Sequence, residues 1–167
     1  MKTPRLIASL LTLFTTSILI TGCGEKDGGS ASSSTPAAPA ADGSITIEAN
    51  DLMKFNLAEF SVVSGKEVKL TLKNVGKLPK QAMGHNLVIL KTEADVQPFA
   101  TAAPTAVATE YIPEAHKDKI IAHTKLLGAG ESDTITITAP APGKYPFICS
   151  FPGHFALMRG NMIVTAP

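Results

Sequence analysis

Three side chains that can bind a metal lie close together near the C-terminus of this chain of 167 residues. Cys149, His154 and Met158 supply a thiol, an imidazole and a thioether within ten residues, directly after an apolar run. A second imidazole, His85, stands at the start of another apolar run. One Cys, two His and a weak axial Met are the ligand set of blue copper electron-transfer sites. These residue types therefore predict one mononuclear copper site.

The spacing Cys-x4-His-x3-Met supports this prediction further. Three ligands on one short loop can surround a metal only if the loop bends sharply, and Pro152-Gly153 favours such a bend. The alternative is a buried structural cysteine with an incidental histidine and a core methionine, since such residues are common in cores. That alternative suits each residue taken singly, whereas the four together, in this order, favour copper.

Short apolar or alternating segments, separated by Gly- and Pro-containing turns, recur through the C-terminal three quarters of the chain. This pattern is typical of an all-β sandwich. The seven predicted strands lie near residues 45–47, 60–62, 68–73, 87–90, 134–138, 145–149 and 162–164. Residues 94–120 differ, because they are rich in Ala, contain three prolines and show no period of two.

The N-terminus has the features of a secretory signal. Lys2 and Arg5 precede an uncharged apolar run at residues 6–20, which is shorter than the roughly 18–20 residues that span a bilayer. Cys23 follows Ile-Thr-Gly and resembles the lipidated cysteine of a bacterial lipobox. We therefore predict a lipoprotein-type signal peptide at residues 1–22. An uncleaved anchor and an incidental cysteine are the alternatives.

A linker and one domain are predicted after the signal peptide. Residues 23–43 comprise the lipidated Cys23 and a Gly/Ser and then Pro/Ala linker, which is expected to be a tether without a core. Residues 44–167 are the predicted domain.

The whole chain has 15 basic and 14 acidic residues, and loss of Lys2 and Arg5 leaves 13 basic residues. This balance excludes a polybasic nucleic-acid binder. The two cysteines have separate explanations, so we expect no disulfide.

The chain resembles the azurins, a family of bacterial blue copper proteins, over nearly everything after Gly43. The resemblance implies a Greek-key cupredoxin sandwich, with a short helical insertion around residues 94–120. It is carried by the stretches from Asn50 to Asn56, from Leu78 to Asn86, from Ile121 to Leu126 and from Cys149 to Met158.

The residue types and their positions assign most of the roles at the site, and the resemblance adds the Gly84 carbonyl. Cys149, His85 and His154 are expected to form the trigonal plane, with Met158 as the weak axial ligand and the Gly84 carbonyl on the opposite side. Asn86 is expected to join the two ligand loops, and Phe151 to keep water out. The two other histidines, His116 and His123, are interpreted as surface residues.

The expected function is one-electron transfer between redox partners at the cell envelope, not catalysis. Full protein ligation leaves no open position for a substrate, and four histidines are too few for a multicopper enzyme. A copper-trafficking or storage protein is the alternative, which Met53, Met83 and Met158 keep open. A metal-free adhesion-type sandwich is disfavoured because all four ligands are present.

Partner proteins, cytochromes or reductases, are expected to dock on a small apolar patch around His154. The resemblance places Met53, Leu78 and Met83 in this patch, and Leu157 belongs to the uncharged loop that carries His154. Two departures from the family are also visible. The positions of the usual azurin disulfide fall near Gly43 and Gly65, and Asn74 replaces a histidine that titrates near the copper.

Overall fold

Two β-sheets, each built from amphipathic strands, form the fold. The computed structural model describes Ala37 and residues 43–167, which belong to one unit, Ser34–Pro167. The predicted signal peptide at residues 1–22 and the lipidated Cys23 lie outside the described residues. Within the described part of the chain, no helix is long and apolar enough to cross a membrane.

The first sheet has four strands in the order β2-β1-β4-β7. β1 and β4 run parallel, and the other pairs are antiparallel. Alternation decides which side chains face inward: Val68, Leu70 and Leu72 are buried, and the residues between them face outward. The strands are β1 (Ser44–Asn50), β2 (Lys54–Phe55), β4 (Glu67–Asn74) and β7 (Ser132–Thr138).

The second sheet has five strands in the order β3-β9-β8-β5-β6. β3 and β9 run parallel, and the other pairs are antiparallel. The strands are β3 (Glu59–Val63), β5 (Val88–Leu90), β6 (Ile120–His123), β8 (Gly143–Ile148) and β9 (Arg159–Thr165). The predicted Greek-key sandwich is confirmed, with β2 and β6 as additional strands that the sequence pattern did not indicate.

The main core lies between the two sheets. Ile47 and Leu70 of the first sheet and Phe60, Phe147 and Met162 of the second are among its fully buried members. The rings of Phe60 and Phe147 stack with their centroids 5.5 Å apart. The core therefore anchors both β8 and β9, the strands that flank the predicted ligand loop.

The expected helical insertion is present between β5 and β6. It contains α2 (Val96–Ala102) and the 3-10 segments Glu93–Asp95, Ala103–Thr105, Val107–Thr109 and Glu114–Lys119. Val96 and Phe99 pack in a second buried cluster with Val88, Leu90 and Ile148. Because the insertion covers this face, β5 is buried on both sides, which explains its continuous apolar sequence.

One residue of the predicted linker, Ala37, pairs with the domain. Its N–H donates to the Glu59 carbonyl at 3.3 Å, and its carbonyl accepts the Ser61 N–H at 2.9 Å. Ala37 thus forms an isolated parallel bridge with Phe60, on the open edge of β3. An unpaired strand edge readily accepts such a segment because its backbone donors and acceptors face outward.

Candidate metal centre

His85 is fixed by backbone pairing just before β5. Its N–H donates to the Leu127 carbonyl at 3.1 Å, and its carbonyl accepts the Leu127 N–H at 2.8 Å. The short helix α1 (Lys80–Met83) leads into it through Gly84. A Cβ on Gly84 would lie 2.7 Å from the Lys80 carbonyl and 3.2 Å from Leu126, so the approach requires glycine. His85 is completely buried.

The loop from Cys149 to Met158 closes on itself through backbone hydrogen bonds. The Cys149 N–H donates to the Met158 carbonyl at 3.0 Å, and the Met158 N–H donates to the His154 carbonyl at 2.8 Å. Gly153 makes the bend with a φ of +82°, in the left-handed region that favours glycine. Cys149, His154 and Met158 are thereby held at one end of the sandwich.

One thiol and two imidazoles meet in this buried region. The Cys149 Sγ lies 3.6 Å from His154 Nδ1 and 4.0 Å from His85 Nδ1. Metal–ligand distances near 2.0–2.3 Å would place trigonal sulfur and nitrogen ligands about 3.7 Å apart. The three donor atoms lie within 4.8 Å of one another, and all three residues are buried. The residues therefore fit a single mononuclear type 1 copper site.

The electrostatics of the pocket favour uncharged groups in the metal-free protein. Burial raises the pKa of the Cys149 thiol to about 11, although the backbone N–H groups of Asn86 and Phe151 act in the opposite direction. Burial also lowers the pKa of His154 to about 4, with a further contribution from His85. A cation that binds here would replace the thiol proton and find both imidazoles already neutral.

The second nitrogen of His85 has an unusual environment. Its Nε2 is a buried atom without a hydrogen bond of ordinary geometry, the one such side-chain atom among the described residues. Burial lowers the pKa of His85, while the nearby Asn50 carbonyl and the Asp51 charge raise it. Asn50 and Asp51, at the end of β1 and in the turn after it, therefore lie close to His85 at the metal end of the domain.

Asn86 links the two ligand-bearing segments, as expected from its position. Its Oδ1 accepts the Ser150 N–H at 2.8 Å, and its Nδ2 donates to the Ser150 Oγ at 2.8 Å. Both residues are buried, with Asn86 fully so. Each is the direct neighbour of a ligand, so this contact fixes His85 relative to Cys149.

Phe151 lies against the ligand His154, with ring centroids 4.6 Å apart. It is 8% exposed, which agrees with its expected role of excluding water. Met158 is fully buried at the C-terminal end of the same loop. Axial ligation by Met158 and by the Gly84 carbonyl remains a prediction.

The four residues of the expected docking patch lie in loops or in α1. Leu157 and Leu78 are 62% and 43% exposed, and Met53 and Met83 are half-buried. The Asp51 carboxylate accepts the N–H groups of Lys77 and Leu78, which connects the Met53 turn to the loop that carries Leu78. His154 itself is only 3% exposed, so any edge that it presents to a partner is small.

The remaining predicted residues lie outside the cluster. His123 is exposed, and His116 is partly exposed with its ring edge-on to Phe99, the ring centroids lying 6.3 Å apart. Asn74 is buried, and its Nδ2 donates to the Leu127 carbonyl that also receives the His85 N–H.

The sequence reasoning missed four residues that support the site. Ser150 lies inside the ligand loop, and that position could have drawn attention to it. Leu127, Glu110 and Tyr111 carry no local signal, because their contacts with the site come from distant parts of the chain.

Comparison with known proteins agrees with this geometry. Residues 41–165 match the family of copper binding proteins described as the plastocyanin/azurin family. An azurin of Achromobacter denitrificans is 48% identical over 122 residues, which cover 70% of this chain and 80% of that protein.

Two further similarities extend the comparison. Outer membrane protein H.8 of Neisseria gonorrhoeae is 42% identical over 120 residues, which cover 70% of this chain and 64% of that protein. The crystal structure of dithionite-reduced auracyanin from Roseiflexus castenholzii superposes with a TM-score of 0.68 at 36% identity. That superposition covers 75% of this chain and 99% of auracyanin.

Proposed function

This chain belongs to the plastocyanin/azurin family of copper-binding proteins, and we propose that His85, Cys149, His154 and Met158 are the ligands of its copper. The protein is a type 1 blue copper electron carrier. One observation carries the assignment: a thiol and two imidazoles are gathered within 4.8 Å in a fully buried pocket.

The protein supplies a rigid and dry site, and copper, when bound, supplies the Cu(I)/Cu(II) couple. Cys149 would hold the copper as the thiolate and would give up the proton that burial keeps on the metal-free thiol. His85 and His154 present Nδ1 to the same point, and Phe151 excludes water. Hydrogen bonds of the backbone and of Asn86 hold both ligand segments in place. The ligands would therefore rearrange little when the charge of the copper changes.

Copper trafficking or storage is the alternative function. Exchange of copper with another protein calls for an accessible site, whereas all three clustered residues are buried here. Turnover of a substrate is equally disfavoured, because four protein ligands would leave no open position on the metal. We therefore propose electron transfer without enzymatic activity.

The visible spectrum of the copper-loaded protein tests the ligand assignment. Wild type is expected to show an intense band at the red end, and Cys149→Ser to lose it because serine does not ionise as a thiol does. His123→Gln, a change at an exposed histidine, is the matched control and should stay blue. A blue Cys149→Ser protein would refute the assignment.

The partners are proposed to be redox proteins, cytochromes or reductases, that dock on the apolar patch of Met53, Leu78, Met83 and Leu157. The exposure of Leu157, within the loop that carries His154, supports this location. Leu157→Lys should slow electron exchange with a reduced cytochrome in stopped-flow while the spectrum is unchanged. Val63→Lys makes the same kind of change at another exposed apolar residue, at the far end of β3, and should exchange at the wild-type rate. Equal exchange rates for wild type and both variants would contradict docking on this patch.

The cell envelope is the proposed location, with Cys23 as the lipid-bearing residue. The similarity to outer membrane protein H.8 supports an envelope location. Cys23→Ala should release the protein from membranes or block its processing, as membrane fractionation would measure. Equal membrane partitioning of the variant and wild type would contradict lipid anchoring.

A further inference from the structure

We propose that the Glu110–Tyr111 corner of the helical insertion is a positioning element of the metal centre. It is the point where the insertion reaches both ligand-bearing segments at once. Their hydrogen bonds and ring contact reach residues beside the ligands, so each would act through a neighbour. The inference rests on the proposed ligand set and concerns what holds that set in place.

Glu110 connects the insertion to the segments around His85. Its carboxylate accepts the Leu126 N–H at 3.0 Å and the Lys80 Nζ at 3.2 Å. Lys80 is the first residue of the short helix that leads into His85. Leu126 directly precedes Leu127, the residue that pairs with His85. The hydrogen bond from Leu126 lowers the pKa of Glu110 most, and Lys80 adds to the effect. The ionised carboxylate therefore joins both sides of the His85 approach.

The backbone of Glu110 makes a second connection. Its carbonyl accepts the Asn86 Nδ2 at 3.3 Å, the same group that donates to the Ser150 Oγ at 2.8 Å. Asn86 Nδ2 thus has one partner in the ligand loop and one in the insertion. This contact orients the Asn86 amide, and the amide in turn positions the residue after Cys149.

Tyr111 acts on the other ligand loop. Its ring packs edge-on against Phe151 with centroids 5.2 Å apart, and Phe151 lies 4.6 Å from the His154 ring. The three rings form one continuous contact from the insertion to a ligand. Removal of the Tyr111 ring would free Phe151 to move and would loosen the packing that orients His154.

The backbone conformation at this corner is unusual. Glu110 and Tyr111 have φ values of +53° and +67°, the left-handed region that residues other than glycine rarely adopt. The turn is held by the Glu110 N–H donating to Val107 at 3.2 Å and the Tyr111 N–H donating to Ala106 at 2.8 Å. Two successive left-handed residues persist only where surrounding contacts require them, and the contacts made here lead to the copper ligands.

The test uses copper-loaded full-length variants and three readouts: the visible and electron paramagnetic spectra, the midpoint potential, and copper affinity by competition. Tyr111→Leu and Glu110→Ala should each shift the copper hyperfine splitting and the potential. Residues behind the ligands commonly affect metal affinity by about tenfold or more, and we expect a loss near the lower end of that range. Tyr111→Phe keeps the ring and should restore wild-type values.

Two controls separate positioning from general stability. Glu114→Ala removes an exposed carboxylate of the same insertion, paired only with Lys117, and should change none of the three readouts. Val164→Ala creates a cavity at the far end of β9 and should lower the melting temperature without a spectral shift. Where Tyr111→Leu or Glu110→Ala does not fold, Tyr111→Met or Glu110→Gln replaces it with the same expectation.

The proposal is overturned if the variants at both positions have the same spectra, midpoint potential and copper affinity as the wild type, whatever their melting temperatures. That outcome would leave the ligand assignment untouched, because the ligand assignment depends on the colour of Cys149→Ser. A colourless wild-type protein would instead refute the ligand set itself.

Discussion

The side chain of Asn86 holds Ser150 at two points, with Oδ1 accepting the Ser150 N–H at 2.8 Å and Nδ2 donating to the Ser150 Oγ at 2.8 Å. The two residues are 64 positions apart in sequence, yet each adjoins a proposed copper ligand. The geometry of the site therefore depends on a link between two loops as much as on the ligands.

Asn86→Ala should destabilise the metal-free protein strongly. The change removes both hydrogen bonds to Ser150 and a third to the Glu110 carbonyl, and it leaves buried groups of Ser150 without these partners. The loss should cost about 2–4 kcal/mol in the free energy of unfolding. Denaturant unfolding measures the loss. Asn56→Ala, which removes one exposed hydrogen bond to the Glu48 N–H, is the control and should cost under about 1.5 kcal/mol. Equal losses in both variants would contradict the special role of Asn86.

Met158→Leu should keep the blue colour and raise the midpoint potential. Leucine fills a similar volume, so stability should fall by less than about 1.5 kcal/mol, but it removes the weak axial donor that favours Cu(II). Voltammetry measures the potential. Met162→Leu makes the same change at another fully buried methionine, in β9, and should leave the potential unchanged. Identical potentials in the two variants would argue against axial ligation by Met158.

The metal-free protein should lose stability as the pH falls. His154 has a folded pKa of about 4 against an ordinary value of 6.5, so the unfolded chain binds more protons between these values. Stability should decline from about pH 6.5 and level off below about pH 4, by on the order of 3 kcal/mol for this group. Unfolding by denaturant across this pH range measures the slope.

Two histidine variants identify the group responsible. His154→Gln should reduce the pH dependence and leave the part due to His85, whose pKa burial also lowers. His123→Gln, at an exposed position, should retain all of it. A pH dependence that survives His154→Gln undiminished would assign the effect to another group.

The melting temperature of the zinc-loaded protein should be indifferent to reductant. Cys149 is the one cysteine of the described residues, and it is free and buried. The family resemblance puts the usual azurin disulfide near Gly43 and Gly65, and neither is a cysteine. Zinc is preferred to copper for this measurement because reductant does not change its oxidation state. A lower melting temperature in reductant would reveal a disulfide between Cys149 and Cys23.

The sequence alone determined the chemistry of the site and the position of most strands. A copper ligand set is a matter of side-chain types, and Cys149, His154 and Met158 share one loop whose spacing can be read directly. Strand alternation is also local, since Val68, Leu70 and Leu72 must share one face of β4. The helical insertion was inferred from family resemblance, because its Ala- and Pro-rich sequence has no clear period.

Only the tertiary structure decided how the ligands are held. Ser150 is joined to Asn86, Leu127 pairs with His85, and Glu110 reaches Leu126 and Asn86. These partners lie 16 to 64 residues apart in sequence, so no local periodicity or spacing predicts them. The bridge at Ala37 was missed for the same reason: a backbone hydrogen bond to a strand edge needs an open edge nearby, and it requires no particular side chain.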